Sequence, residues 1–375
     1  MRILMQSYEF PPLGGGGAKV VFGLANQLIQ QGHEIHLVTM NFRGLKKEEH
    51  LNGIHVHRIP CIRIRESICY TPEMASYILT AIPIVSQLVR KVKFDLNHTH
   101  FVFPSGLISF LIKGITGLPY VITVHGSDVP GYNPDRFTYL HKALFPVWRR
   151  IAYSAERVVS PSETLKSLML SRCPTIPINV IPNGFDENKL SPVSKKVNRI
   201  LVVSRMFARK GVQYLLKALA ELNGKLHYEA HIVGDGPFLP DLRKMGGKSK
   251  MALRFWGHLD NDSQELKHLF ETSRIFVFTS EAENFPNVLL EAMASGMAII
   301  STEGTGCAEV VGEAGILVPV KNAQAIGANL FKLMGDPDLC ERMGKAARQR
   351  LEQHYTWNVV AKQYQKLYEQ TVTSS

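Results

Sequence analysis

Two glutamates, Glu283 and Glu291, lie with seven residues between them in the stretch "SEAENFPNVLLEAMASG", Ser280 to Gly296. Pro286 suits a first helical position, which leaves Asn284 or Phe285 as the cap and Gly296 as the helix stop. Glu283 then precedes the helix, and Glu291 sits inside it about 8 Å further along an axis that rises ~1.5 Å per residue. At that separation one carboxylate cannot do the other's work. Together they suit two parts of one extended ligand, with the positive end of the helix between them for its phosphates. Glu291 also stands within "NVLLEAMA", where the apolar surroundings require a carboxylate to have a partner.

A second set of residues carries positive charge. "VVSRMFARKGVQYLL" places Arg205 just past a strand and Lys210 just before a helix. An arginine fork beside a lysine point charge suits a diphosphate, although two solvated loop charges would show the same spacing. "VGDGP" supplies a further strand-end turn, whose glycines fit either a tight bend or a ligand. "PPLGGGGAKVV" sets Gly14 to Gly17 before a helix, where backbone amides can approach an anion or simply turn the chain. It is not a phosphate-binding Walker loop, since no G-K-[S/T] closes it. It is not a dinucleotide fingerprint either, because Lys19 and Val20 stand where the third glycine belongs. "DND" at Asp260 to Asp262 and "DPD" at Asp336 to Asp338 match a metal-binding D-x-D, but each directly precedes a helical stretch where aspartate caps amides.

These residues need a scaffold that delivers strand ends to one place. "RILMQS" reads as a buried strand, the glycine turn follows, and "AKVVFGLANQLIQQ" has helical apolar spacing before Gly32. The same order recurs through "EIHLVTM", "KFDLNHTH", "PYVITVHGSD" and "ERVVSPS", implying parallel strands with helical crossovers. After the polar stretch "VIPNGFDENKLSPVSKKVN" it restarts with "RILVVSR", "HYEAHIVGDGP", "LRFWGHL", "RIFVFTS", "MAIIST" and "GILVPV". The expected organisation is therefore α/β with two doubly wound domains, residues 1–182 and 199–356, a linker over 183–198, and a terminal helical segment over 357–375. In such sheets ligands sit at the carboxyl ends of the strands.

Composition narrows the partner. The 375 residues carry a formal charge of +11, divided as +7 up to Asp186 and +4 beyond it. A spread excess of this kind suits phosphorylated small molecules or an anionic membrane face. Nucleic-acid binders concentrate basic residues in blocks with interleaved aromatics, and none is present. Five cysteines with no C-x-x-C pair, and no signal-like leader, read as a cytoplasmic protein. The most apolar region, "FVFPSGLISFLIKGITGLPYVITV", is broken too often for the ~20 clean residues of a membrane span.

With these motifs assembled, the chain resembles the retaining glycosyltransferases of the GT-B fold, family 4, also called glycosyl transferases group 1. The resemblance spans nearly the whole chain. It rests on the glycine-rich first loop, "HGSD" at His125 to Asp128, "PNGFD", "SRMFARKG", "VGDGP" and the two glutamates of "EAENFPNVLLEAMASG". It implies two Rossmann-like domains facing a nucleotide-sugar cleft, with the last helix crossing back to the first domain. It also implies transfer of a hexose-type sugar from a nucleoside diphosphate sugar, a UDP- or GDP-sugar, to a hydroxyl of a glycan, lipid-linked or small acceptor, in cell-surface polysaccharide or glycolipid assembly. By position, Arg205 and Lys210 resemble the pair that holds the donor diphosphate, Glu283 the glutamate on the donor sugar, and Glu291 the one that accepts from the ribose hydroxyls. His125 resembles the residue beside the reacting carbon, and Gly15, Gly16 and Gly17 the loop that meets phosphates and acceptor. Pro286 stands where many members have glycine, so backbone contacts fall to Asn284, Phe285, Asn287 and Val288. No carboxylate stands in the position of a covalent nucleophile, and neither a cofactor nor a metal is implied.

Two other readings share these features. A UDP-sugar epimerase has the same architecture, and a catalytically silent protein could bind sugar nucleotides or a membrane surface. The stretch "LHKALFPVWRRIAYSAERV" joins Leu144, Phe145 and Trp148 to Lys142, Arg149 and Arg150, which fits a helix lying on a membrane face or one packed into a core.

Overall fold

The computed structural model describes residues 1–66, 68–132, 138–222, 227–247 and 249–374, without the side chains of 138–142 and 374. Packing divides the chain into two compact units, one of Met1–Gly184 with Trp357–Ser375 and one of Phe185–Thr356.

Unit 1 begins β1 (Arg2–Gln6), α1 (Gly16–Gln30), β2 (Glu34–Met40), β3 (Glu48–Leu51), β4 (Ile54–Ile59), α2 (Thr71–Lys91), β5 (Leu96–His100). It continues α3 (Leu107–Thr116), β6 (Tyr120–Thr123), α4 (Thr138–Ser154), β7 (Arg157–Ser160), α5 (Glu163–Leu170), β8 (Ile178–Val180). The strands form one sheet in the order β3-β4-β2-β1-β5-β6-β7-β8. All neighbours are parallel except β3 and β4. That antiparallel pair turns at Asn52-Gly53, both with positive φ (52° and 87°), and it departs from a wholly parallel reading. An Asn-Gly pair between alternating stretches is the sequence signal for such a hairpin.

Strands covered on both faces by helices read as continuous apolar runs, and β1 and β2 do so because α1 covers one face and α2 the other. The α1 face is completed by α13 (Trp357–Ser374), whose Val360, Tyr364 and Tyr368 join the core of Val21, Leu24 and Leu28. Helix entry is fixed by Trp357: a Cβ on either Gly23 or Gly184 would overlap its indole.

Unit 2 runs β9 (Val197–Val203), α6 (Val212–Leu222), β10 (Glu229–Val233), α7 (Leu239–Gly246), β11 (Ala252–Gly257), α8 (Gln264–Thr272), β12 (Ser273–Phe278). Then follow α9 (Asn287–Ala294), β13 (Ala298–Thr302), α10 (Gly306–Val311), β14 (Ile316–Val318), α11 (Ala323–Gly335), α12 (Pro337–His354). Its sheet is parallel throughout, in the order β11-β10-β9-β12-β13-β14. The chain starts at β9 in the middle, winds outward to β11, and returns to β12 on the other side of β9. The switch between β9 and β12 leaves a crevice at their carboxyl ends, where ligands bind in open α/β sheets. In unit 1 the equivalent switch lies between β1 and β5.

The amphipathic stretch after Leu140 packs one face into the core. Trp148 is buried, donates its indole N–H to the Asp128 carbonyl at 2.8 Å, and shares a cluster with Ile151, Ala152 and Phe145. Arg149 and Arg150 stay exposed, and the side chain of Lys142 lies outside the described residues. No helix among the described residues is long and apolar enough to cross a membrane. All five cysteines are free thiols.

Candidate active site

At the β9/β12 switch, the sequence delivers its charges as its spacing requires. β9 ends at Val203 and the chain turns through Ser204 to Phe207, leaving Arg205 exposed with its guanidinium 5.7 Å from the Phe207 ring. A single 3-10 turn, Ala208–Lys210, then carries Lys210 inward. Gly211 follows at φ +73°, and a Cβ there would overlap the Thr279 carbonyl oxygen. This close approach fastens the loop after β9 to the loop after β12. The Glu281 amide donates to the Arg209 carbonyl at 2.8 Å, and the Thr279 hydroxyl donates to the Gly211 carbonyl at 3.0 Å.

The consequence is an ion pair across 73 residues: Lys210 Nζ donates to Glu283 Oε1. Both side chains are nearly buried, at 9% and 12% exposure, and the ammonium also lies 5.7 Å from the Phe278 ring centre. In a site of low polarity neither charge is tolerable without the other. The backbone of Glu283 is pinned as well. Its carbonyl accepts from the Gly306 amide at 2.9 Å, and a Cβ on Gly306 would overlap the Asn284 carbonyl oxygen. The "VGDGP" turn is similarly fitted to the backbone of the Ser204–Phe207 loop, since Met206 donates to the Asp235 carbonyl at 2.8 Å and Gly234 has no room for a side chain beside Ser204.

The helix after Glu283 differs from the expectation in one respect. It begins at Asn287, and Pro286 occupies the cap position at φ −78°, ψ 105°, so neither Asn284 nor Phe285 caps it. Proline still fits, because the position needs no amide donor and its extended ψ lies outside the helix. The Leu289 amide returns to the Pro286 carbonyl at 3.0 Å, and Asn287 and Val288 form the first turn at the positive helix end. Asn284 is buried, Phe285 packs edge-on to Tyr355 with ring centres 5.7 Å apart, and Val288 and Glu291 are half-buried on α9. The two D-x-D motifs differ in their contacts. Asp336 caps α12 through the Leu339 amide at 2.8 Å. At the other, Ser263 rather than an aspartate caps α8, and Asp262 instead accepts from Lys189 at 2.6 Å.

In unit 1, Gly15 holds the cap position of α1 while Gly16 and Gly17 form its first turn. A Cβ on Gly17 would stand 2.6 Å from the Phe101 ring, whereas one on Gly15 meets nothing within 4 Å. The Gly14 amide donates to the Glu66 carbonyl at 2.9 Å, and the Gly15 amide to Glu9 Oε2 at 3.3 Å. A carboxylate, raised above its usual range by burial, thus already stands at the helix end where an anion was expected. His125 follows β6, its amide and that of Val102 both held by the buried Asp128 carboxylate at 2.9 Å. Its Nε2 meets His100 Nδ1 at 3.1 Å. Burial drives His125 to a pKa of about 3 and His98 likewise, with His125 adding to the effect on His98; His100 is also held well below the ordinary value. All three are neutral imidazoles. His98 bonds Tyr368 at 2.7 Å and Thr123 at 2.8 Å, and Thr123 meets Tyr364 at 3.0 Å. Sequence reasoning missed His100 and Glu9, and met Asp128 only as the end of the "HGSD" motif, without a role. The alternation in "NHTH" is the one available signal, since it puts His98 and His100 on one face of β5.

Comparison with known proteins places the fold. Residues 14–189 match the model described as Glycosyltransferase Family 4, and residues 185–350 the model described as Glycosyl transferases group 1. The chain belongs to this family of glycosyltransferases and is an enzyme of that class. It is 27% identical to an uncharacterised glycosyltransferase of Methanocaldococcus jannaschii, over 98% of each chain. Among solved structures, it resembles sucrose-phosphate synthase from Thermosynechococcus elongatus with TM-score 0.83, 21% identity and full coverage of both chains. It also resembles the HepE protein of Anabaena in complex with UDP, with TM-score 0.77, 17% identity and coverage of 99% and 100%. At these identities the structural likeness shows the GT-B fold alone.

Proposed function

We propose that the protein transfers a hexose-type sugar, with retention at the anomeric carbon, from a UDP- or GDP-sugar to a hydroxyl acceptor in polysaccharide or glycolipid assembly. The observation that carries this reading is the Lys210–Glu283 pair at the β9/β12 switch, with Arg205 on the same strand end and the first turn of α9 directly after it. Binding of UDP by the Anabaena relative is in keeping with it.

The chemistry follows from where charge develops. As the bond from the anomeric carbon to the diphosphate oxygen breaks, the sugar gains positive charge and the leaving group negative charge. Arg205, Lys210 and the amides of Asn287 and Val288 stabilise the leaving group without a metal ion. Glu283 serves the sugar and holds Lys210 in place, while Glu291 accepts from the ribose. The acceptor oxygen bonds to the anomeric carbon from the face the diphosphate leaves, and its proton passes to the departing phosphate oxygen. His125 contributes as a neutral hydrogen-bond donor. His100 Nε2 is buried without a partner, and an orphaned lone pair is less costly than an orphaned N–H. His100 therefore donates from Nδ1 to His125 Nε2, and His125 keeps its proton on Nδ1. Glu9 beside Gly15 favours an acceptor hydroxyl over a phosphate at the glycine loop, because a second anion there would be repelled.

Thermal unfolding with UDP-, GDP- and ADP-sugars, followed by turnover with acceptor in EDTA, tests the proposal. One nucleotide sugar at 100 times its dissociation constant should stabilise by about 2.7 kcal/mol, and transfer should persist without metal. Conversion of the nucleotide sugar with no acceptor present would point to an epimerase instead. Absence of any stabilisation would refute the donor assignment.

A further inference from the structure

The outer strands of the unit 1 sheet carry a cluster of histidines at their amino-terminal ends, the opposite end from the glycine loop and His125. β2 opens with Glu34 and His36 on one face, and β4 opens with His55 and His57 on the same face. Register aligns them: His36 lies across from His55, and His55 from His50 of β3. Further along β2, Val38 and Met40 continue that face into the apolar core beneath α2, so the polar residues are confined to the strands' amino-terminal ends.

The contacts are directional. His36 is buried, with its ring stacked on His55 at a centroid distance of 4.5 Å and an interplanar angle of 6°. Its Nε2 meets Glu34 Oε1 at 3.0 Å, and its Nδ1 meets His57 Nε2 at 3.1 Å. The second oxygen of Glu34 accepts from Arg2 Nε at 2.8 Å. One nitrogen or oxygen from each of Glu34, His36 and His55 lies within 4.8 Å of the others. Zinc bonds of about 2.0–2.2 Å in tetrahedral geometry set neighbouring ligand atoms roughly 3.3 Å apart. The His36–Glu34 contact already meets that spacing, and a tilt of the half-buried His55 ring out of the stack would close the remainder.

We propose that Glu34, His36 and His55 form a divalent-cation site suited to Zn2+, with water in the fourth position. His57 is a positioning residue: it accepts the Nδ1 proton of His36 and so directs the Nε2 lone pair toward the ion, the role that partners of ligating histidines commonly fill. Two imidazoles and one carboxylate favour zinc over magnesium or calcium, which take oxygen ligands. The ion would tie the β3–β4 hairpin to β2, away from the chemistry of transfer.

The test uses the full chain, stripped with chelator, dialysed, and titrated with Zn2+ alone against a chromogenic chelator. Wild type should bind one Zn2+ per chain and unfold at a higher temperature with it. His55→Ala and Glu34→Gln should each weaken binding at least a hundredfold and lose the thermal shift. His57→Ala should keep the stoichiometry and weaken binding by about 10–100-fold. His354→Ala, in unit 2, should match wild type. Co2+ in place of zinc should give the intense visible bands of tetrahedral coordination. Equal binding by wild type and His55→Ala, or weak bands of a solvated octahedral ion, would overturn the proposal. Circular dichroism of the metal-free variants distinguishes loss of ligands from loss of fold.

Discussion

Neutralising the buried pair at the β9/β12 switch separates its structural role from its chemical one. Removing one partner of a buried ion pair costs about 3–5 kcal/mol, because the survivor is left charged without compensation. Side-chain exposures of 9% and 12% put Lys210 and Glu283 toward the lower end, about 3 kcal/mol. For a unit the size of Phe185–Thr356, 1 kcal/mol corresponds to roughly 2–4 °C, so Lys210→Met should lower its unfolding midpoint by about 6–12 °C. Glu283→Gln should do much the same. The double variant removes both charges and should recover most of that loss, giving a coupling energy of about 2 kcal/mol or more. Activity should not follow: with no lysine cation at the leaving group, Lys210→Met and the double variant should both remain about a hundredfold or more below wild type in kcat. Calorimetry on the four proteins and initial rates at saturating donor supply both readouts. Recovery of activity together with stability would refute a chemical role for Lys210, and additive stabilities would refute the pair itself.

Glu291→Gln should weaken nucleoside diphosphate and donor alike and raise KM, whereas Glu283→Gln should leave nucleoside diphosphate affinity nearly unchanged and depress kcat; calorimetric titration followed by steady-state kinetics checks this, and the reverse pattern would exchange the two roles. Acid should destabilise unit 1. His98 and His125 are held to about 3 in the fold against ~6.5 when unfolded, so the stability they confer is complete above pH 6.5 and declines as pH falls toward 3, by about 1.4 kcal/mol per pH unit for each ring. Denaturant unfolding between pH 7 and 5 measures the slope, and His98→Gln should reduce it. Gly211→Ala should cost about 1–3 kcal/mol and slow turnover, since the new methyl collides with the Thr279 carbonyl beside Lys210. Gly44→Ala, at φ +82° with nothing within 4 Å, is the control for backbone strain alone, and equal losses in both would show that the collision is relieved.

What was legible in the sequence is what short-range pattern encodes. Apolar runs such as "RILMQS" and "MAIIST" read directly as strands buried on both faces, and Arg205 and Lys210 could be placed because each follows or precedes an element by a few residues. The Lys210–Glu283 pair could not be read that way. It exists because β12 returns to lie beside β9, an adjacency set by the order of strands rather than by spacing along the chain. The same holds for His125, whose neutrality follows from burial and whose Nε2 meets His100, one strand away. Pro286 illustrates a smaller failure. Proline satisfies both the cap and the first turn of a helix, and only the backbone angle distinguishes the two.

The placement of α13 has a consequence for how the polypeptide is made. Tyr364 and Tyr368 complete the hydrogen bonds of Thr123 and His98, yet they leave the ribosome only after every residue of Phe185–Thr356 has emerged. Unit 2 holds all of its strands in one continuous segment and can finish folding during synthesis. Unit 1 must wait, with the apolar face of α1 uncovered, until the final helix arrives. In that interval the apolar surface of unit 1 is open to aggregation, and a ribosome that stalls before Trp357 would release a chain whose first half lacks the side chains that close its core.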